Sequence, residues 1–215
     1  MSESPLTTHA GPIAAAAGGL FAVVSVGFYL VTDHSDLVAM MTDPAFLLFS
    51  AAYAVSFPLL LIALVAVYGR QAGQAGVFGA VAFCTAVVGT MGLAGDMWFE
   101  AFAMPWLTQV APQVIGVPSS GSLLRVAWLV SVVLFSLGWM LFGAASWRAR
   151  VLPRGLSIGV AAGGLIGFQA AMPPWGVGLG LAVAAVGIWL IRHDRIVGRV
   201  EEPQHGAPAA VTLSH

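Results

Sequence analysis

Two carboxylates, Asp96 and Glu100, stand four residues apart in the stretch LAGDMWFEAFAMPWL (93–107), after some twenty residues without a charge. Trp98, Phe99, Phe102 and Trp106 surround them. Residues four apart on a helix share a face, so two ionised acids there repel, and burial disfavours the charged form further. One of the pair is therefore expected to keep its proton near neutral pH. A carboxylic acid held protonated is a usable general acid. The plainer reading is structural: Arg125 neutralises one acid and fastens its helix to the next.

The element carrying the acids can be read from spacing. Thr85, Gly89, Gly92, Asp96 and Glu100 step by 4, 3, 4 and 4 residues and share one helical face. Small residues let a neighbouring helix approach closely, so this face is predicted to point into a bundle, acids included. A helix ending at Gly95 would set its negative dipole end against Asp96. The helix is instead expected to run on to Met104 and stop at Pro105.

A second stripe, Arg125, Trp128, Val132, Phe135, Trp139 and Phe142, steps by 3, 4, 3, 4 and 3 residues. Set opposite the acids, it would wall an apolar chamber whose aromatic faces attract cations. The alternative for such a stripe is packing or lipid contact. Trp128, Trp147 and Trp175 also suit the role of interfacial anchors.

The solvent of these helices follows from composition. The 215 residues are 59% hydrophobic and 8% charged, with a mean hydropathy of +0.93. Soluble domains carry about 25% charged residues. The chain is thus expected to be all-α, a polytopic membrane protein lodged in the cell (inner) membrane, with the lipid bilayer as its first partner. Six runs are long enough to span: 13–31, 45–68, 76–95, 126–147, 155–172 and 174–191. They define a six-helix domain over 13–192, between a tail at 1–12 and a disordered tail at 193–215. Pro58 is expected to kink the second span, and "MPPWG" to turn the chain between the last two.

With six spans, seven of the eight basic residues, all arginines, fall on one side. That side is read as cytoplasmic, with both termini inside. The other side gathers Asp33, His34, Asp36, Asp43, Asp96, Glu100 and Arg125, together with the longest connection, 104–122. No matching pattern between the two halves supports an inverted repeat. The start lacks the basic region of a signal peptide. Cys84 is the sole cysteine, read as a small core residue, and it excludes an intramolecular disulfide or a cysteine-based metal site. A net charge of −1 suggests no nucleic-acid partner. The abundance of Ala, Gly and Arg without Lys suggests a high-GC bacterial genome.

Other candidates carry less. Asp33, His34 and Asp36 in "TDHSD" would bind a divalent metal only with help from Asp96 or Glu100, and a solvated loop is the better reading. No metal or other cofactor is therefore expected. Gly159, Gly163 and Gly167 repeat a GxxxG packing device. Gln169 is an intramembrane polar group one turn from the outer boundary and is assigned to the same site. His9, His193, His205 and His215 fall in the tails.

The stretch Asp96, Trp98, Phe99 and Glu100, carboxylates among aromatics in a small all-helical membrane protein, resembles the integral-membrane terpene cyclases. "GDMWFEAF…PW" is also similar to a passage found in small six-helix proteins of high-GC bacteria. The first resemblance implies an isoprenoid-like substrate, protonated by Asp96 or Glu100. Trp98, Phe99, Arg125, Trp128, Phe135, Trp139 and Gln169 would line the substrate site. The "DDxxD" and "DxDD" motifs of soluble cyclases are absent, and the arginines that would hold a diphosphate lie on the other side from the acids. Two other classes stay open. An accessory membrane subunit would present span 5 to a partner subunit or a second copy. A proton-coupled transporter is disfavoured because no charge lies in the middle of a span.

Overall fold

The computed structural model describes residues 5–32, 35–115, 122–166 and 174–201, with side chains for all of these except 5, 6 and 197–201. Among the described residues every regular element is helical. The main helices are α1 (Pro5–Thr8), α2 (Ala10–Val31), α3 (Leu37–Met40), α4 (Pro44–Trp98), α5 (Met104–Val110), α6 (Leu123–Ala149), α7 (Arg154–Ile166) and α8 (Gly176–Glu201). Four helical runs are long and apolar enough to cross a membrane: Ala10–Val31, Pro44–Val110, Leu123–Ala149 and Gly176–Ile196. Large apolar side chains such as Leu30, Leu48, Val77 and Leu123 lie on the outside, where a bilayer would cover them. The chain is a multi-pass membrane protein.

The run Pro44–Val110 is 67 residues long. A straight helix of that length would reach about 100 Å, more than three times the roughly 30 Å of a hydrocarbon core. Gly76 resolves the conflict, since its φ of 60° and ψ of −161° are non-helical. The chain reverses there. Tyr68 and Phe83 lie on either side of Gly76, yet their rings stack with centroids 4.1 Å apart and planes at 9°. On a straight helix they would be about 22 Å apart. The reversal comes from a backbone conformation, positive φ with ψ near 180°, that essentially only glycine adopts. Pro58, expected to be the kink, lies inside the first arm without a non-helical backbone angle.

The helices then pack through residues with little or no side chain. On α2 and α8, Gly18 faces Gly180 and Ala184, while Gly11 faces Gly187 and Ile191, an antiparallel pairing. A Cβ on Gly89 would overlap the α6 backbone at Leu134 and Phe135, and one on Gly138 would overlap α4 at Ala86. Gly143 and Gly164 set α7 against α6, and Gly163 sets it against Leu179 of α8. In lipid there is no hydrophobic drive between helices, so close backbone approach and dispersion supply the attraction. Cys84 is exposed rather than in the core. Its position faces outward, where a thiol meets lipid at little cost.

The described parts of both tails are helical, with α1 beginning at Pro5 and α8 running to Glu201. Ala10 and Gly11 are buried, and the Arg70 guanidinium donates to the Thr7 carbonyl at 3.2 Å. Arg70 also pairs through both of its terminal nitrogens with the Asp194 carboxylate. Helix α8 continues past Ile191 to Glu201, with His193 stacked on Trp189 at 4.9 Å. The chain start, the reversal near Gly76 and the end of α8 thus meet at one end of the bundle. Leu152, between α6 and α7, lines one apolar gap with Val67 there, so Arg148, Arg150 and Arg154 belong to the same end. Gln169 and Gly167 lie outside the described residues, as do Asp33, His34, His205 and His215.

Gly76→Ala is expected to lower unfolding stability in detergent by about 1–3 kcal/mol, because a Cβ strains that backbone. Gly73→Ala, in the adjoining turn with open space around it, should be neutral or slightly stabilising. Equal thermal midpoints for the two variants would contradict the assigned reversal.

Candidate functional site

At the end away from the arginines, the acids stand on the second arm of α4 and its continuation, a short way beyond the point where Gly92 meets Ser131 of α6. Helix α4 does not stop at Pro105. Residues Phe99–Ala103 form a π-helical turn, and α5 continues with Pro105 in its first turn. Proline lacks an amide hydrogen and clashes with the carbonyl four residues back, and the wider turn accommodates both defects. Glu100 stands inside this turn. The irregular backbone therefore sits where the sequence places its acid.

The small-residue stripe behaves as its spacing predicts. Thr85, Gly89 and Gly92 face α6 at Gly138, Phe135 and Ser131 in turn. Asp96 continues that face and is half-buried, as is Glu100. The hairpin then brings a residue that spacing did not single out. Tyr53 and Glu100 lie 23 and 24 residues from Gly76 on opposite arms, and they come within electrostatic range of each other, as do Asp96 and Glu100. Tyr53 is fully buried and hydrogen-bonded to Ser25 of α2. Ser25 spends its own proton on the Phe21 carbonyl at 2.7 Å, which leaves its oxygen to accept from the Tyr53 hydroxyl. Ser25, Tyr53, Glu100 and Asp96 are polar groups gathered near one another at an otherwise apolar end of the bundle.

Arg125 does not join this group. It is exposed and forms no ion pair within 4 Å with Asp96 or Glu100. Its guanidinium lies over the Trp128 ring, 4.8 Å from the centroid, an arrangement of about 0.5–1 kcal/mol at an exposed position. The expected clamp between the two helices is absent. Asp36 and Asp43 serve as helix caps, accepting from the amides of Ala39 at 2.9 Å and Ala45 at 2.8 Å. Among the described residues no group of three His, Cys, Asp or Glu side chains is arranged to hold a metal.

The aromatics divide into two sets. Trp98 and Phe99, assigned from sequence to the substrate site, point outward with 60% and 39% exposure. Trp98 instead packs on Phe102, with ring centroids 5.6 Å apart. Such rings suit the membrane–water boundary. Trp128 is half-buried, while Val132, Phe135, Trp139 and Phe142 face the core. Phe135 meets Phe57 at 6.1 Å and Trp139 at 6.3 Å, and Trp139 meets Phe142 at 6.0 Å. The ladder continues through Phe57, Tyr53 and Phe28 to Phe46. The stripe is a packed core, filled by rings of the first α4 arm, rather than the wall of an open chamber.

Comparison with protein-family models, with curated proteins and with solved structures finds no match for this chain. The site is therefore argued from its own chemistry.

One buried polar contact anchors the ladder: Trp139 Nε1 donates to the Thr90 hydroxyl at 3.1 Å. Thr90→Val should cost about 1–3 kcal/mol by leaving a buried indole N–H unpaired. Combined with Trp139→Phe, the loss should be less than the sum of the two single losses, by about 0.5 kcal/mol or more in a double-mutant cycle. Strict additivity would show that the contact does not form.

Proposed function

We propose that the chain is a membrane-embedded enzyme that protonates a lipophilic, isoprenoid-like substrate and so promotes its isomerisation or cyclisation. The observation that carries the proposal is the acid pair itself. Asp96 and Glu100 approach each other at the edge of the bundle interior, and among the described residues neither has an ion-pair partner. Ionisable groups within membrane segments are costly and commonly mark function. The π-helical turn at Glu100 supports the reading, since such bulges recur at functional sites.

In this scheme Glu100 or Asp96 gives its proton to one carbon of an alkene, whose π electrons form the new C–H bond. The carboxylate left behind faces the carbocation on the neighbouring carbon. Loss of a proton from an adjacent carbon to that carboxylate restores the acid and yields an isomer of unchanged mass. Attack by a second alkene before that loss closes a ring. Tyr53 acts as a positioning residue that holds the acid pair against the Ser25 side of the bundle. The substrate reaches the acids from the bilayer through the aromatic rim of Trp98, Phe102 and Trp106.

The topology that goes with this function has six spans, with the α4 arms as spans 2 and 3 and α7 as part of span 5. The arginine-rich end faces the cytoplasm in the inner membrane, with both termini, and the acids face outward. A second reading rests on the filled core around Phe57 and Phe135. There the protein is an accessory membrane subunit, and the outward rings of Trp98, Phe102 and Trp106 meet a partner.

Mass comparison of lipid extracts from a host supplied with farnesyl- and geranylgeranyl-type compounds decides between them. Wild type should yield a new isomeric or cyclised isoprenoid. Glu100→Gln or Asp96→Asn, present in the membrane at wild-type abundance, should lower its yield by about 100-fold or more. A product that persists undiminished in both variants rules out the acid pair as donor. Marked instability of both variants with no product in any arm favours the accessory subunit.

A further inference from the structure

The arginine-rich end holds a feature that the proton-transfer reading does not use. Between the end of α6 and the start of α7 lies an open cleft of about 520 Å³, with Arg148, Arg150, Arg154 and Trp147 among its lining residues. No acidic residue lines it. Among the described residues none of the three arginines forms an ion pair within 4 Å. Three cations thus share one cleft without a counter-charge.

The backbone around the cleft is arranged at a cost. Arg150 adopts a left-handed conformation, with φ at 57° and ψ at 25°, in a helix-terminating position usually given to glycine. Arg154 is the first residue of the 13-residue helix α7. A helix start carries partial positive charge and disfavours a cation there. An anion bound between Arg150 and Arg154 relieves the mutual repulsion and uses the helix dipole favourably.

Beside the cleft lies a second, apolar groove of about 260 Å³ between α6 and α7, with which it shares the lining residues Ala144 and Trp147. Ile158, Ala162 and Leu165 line the far part of that groove, on the outer surface of the bundle. A cationic cleft at the membrane boundary, beside an apolar groove running along the helices, matches an amphiphile. From this juxtaposition we propose that the α6–α7 corner is a binding site for an anionic phospholipid. Its phosphate sits among Arg148, Arg150 and Arg154, and one acyl chain lies in the groove beneath Trp147. Basic pockets between membrane helices recognise such headgroups by this combination of charge and apolar contact. The proposal does not rest on the acid site.

The test uses the full chain purified in a mild detergent. Native mass spectrometry and thermal shift follow titration with phosphatidylglycerol, phosphatidylcholine or inorganic phosphate. Wild type should retain phosphatidylglycerol at least tenfold more tightly than phosphatidylcholine, and inorganic phosphate should not displace it. The triple variant Arg148→Gln, Arg150→Gln, Arg154→Gln should lose roughly a hundredfold in affinity, while the matching triple Lys variant should stay within about threefold of wild type. Ala162→Trp fills the groove without touching the charges. It should also weaken phosphatidylglycerol retention about tenfold, which keeps the test decisive if the Gln variant fails to fold. Equal retention of the two lipids, full displacement by inorganic phosphate, or unchanged binding in Ala162→Trp would overturn the proposal.

Discussion

The reversal at Gly76 is the constraint on which the rest of this bundle depends. Without it, the run from Pro44 to Val110 would be far too long for any bilayer. With it, two helical arms lie side by side and their residues are matched by distance from the turn. Tyr68 stacks on Phe83 near the turn, and Tyr53 comes within electrostatic range of Glu100 near the far end. The same reversal delivers Arg70 to Thr7 and Asp194. One glycine backbone therefore sets the spacing of the candidate site at one end and the docking of Thr7 and Asp194 on Arg70 at the other.

What closes the bundle around that hairpin is the removal of side chains. Gly89 and Gly138 bring the second α4 arm and α6 into backbone contact, and Gly18 with Gly180 does the same for α2 and α8. Large rings then fill the middle, where Phe21, Tyr53 and Phe57 of α2 and α4 reach Phe135 of α6. Close packing at this density leaves few positions for polar groups, so those present stand out. Ser25, Tyr53 and Thr90 have partners, whereas among the described residues both amide atoms of the buried Gln71 find none. The acids lie where the packing ends, with backbone irregular enough to orient them.

Periodicity and charge made much of this legible. The Thr85–Gly92 stripe, the core face from Val132 to Phe142 and the gathering of arginines at one end all follow from helical spacing and charge placement. What spacing could not show was partnership across the hairpin. Tyr53 carries no local signal of function, because its importance comes from a residue 47 positions away. The break was equally hidden: Pro58 advertises a kink, while Gly76 is one of 26 glycines and only its positive φ sets it apart. Trp98 and Phe99 lie beside the acids in sequence but on the outer surface of the helix, because neighbours in sequence fall on different helix faces. Nor could spacing show the Arg70–Asp194 pair on α8 beyond Ile191, a contact 124 residues apart in the chain.

The central claim is that the acids and the arginines occupy opposite faces of the membrane because the chain turns back at Gly76. It is tested most directly by thiol labelling of single cysteines in a Cys84→Ala background. Ser35→Cys stands beside the acid end, and Gln74→Cys stands at the turn. A membrane-impermeant reagent applied to intact cells should modify the cysteine at 35 and spare the one at 74, which should react only after permeabilisation. Reaction of both from the same side would contradict the hairpin, and with it the placement of the acid pair.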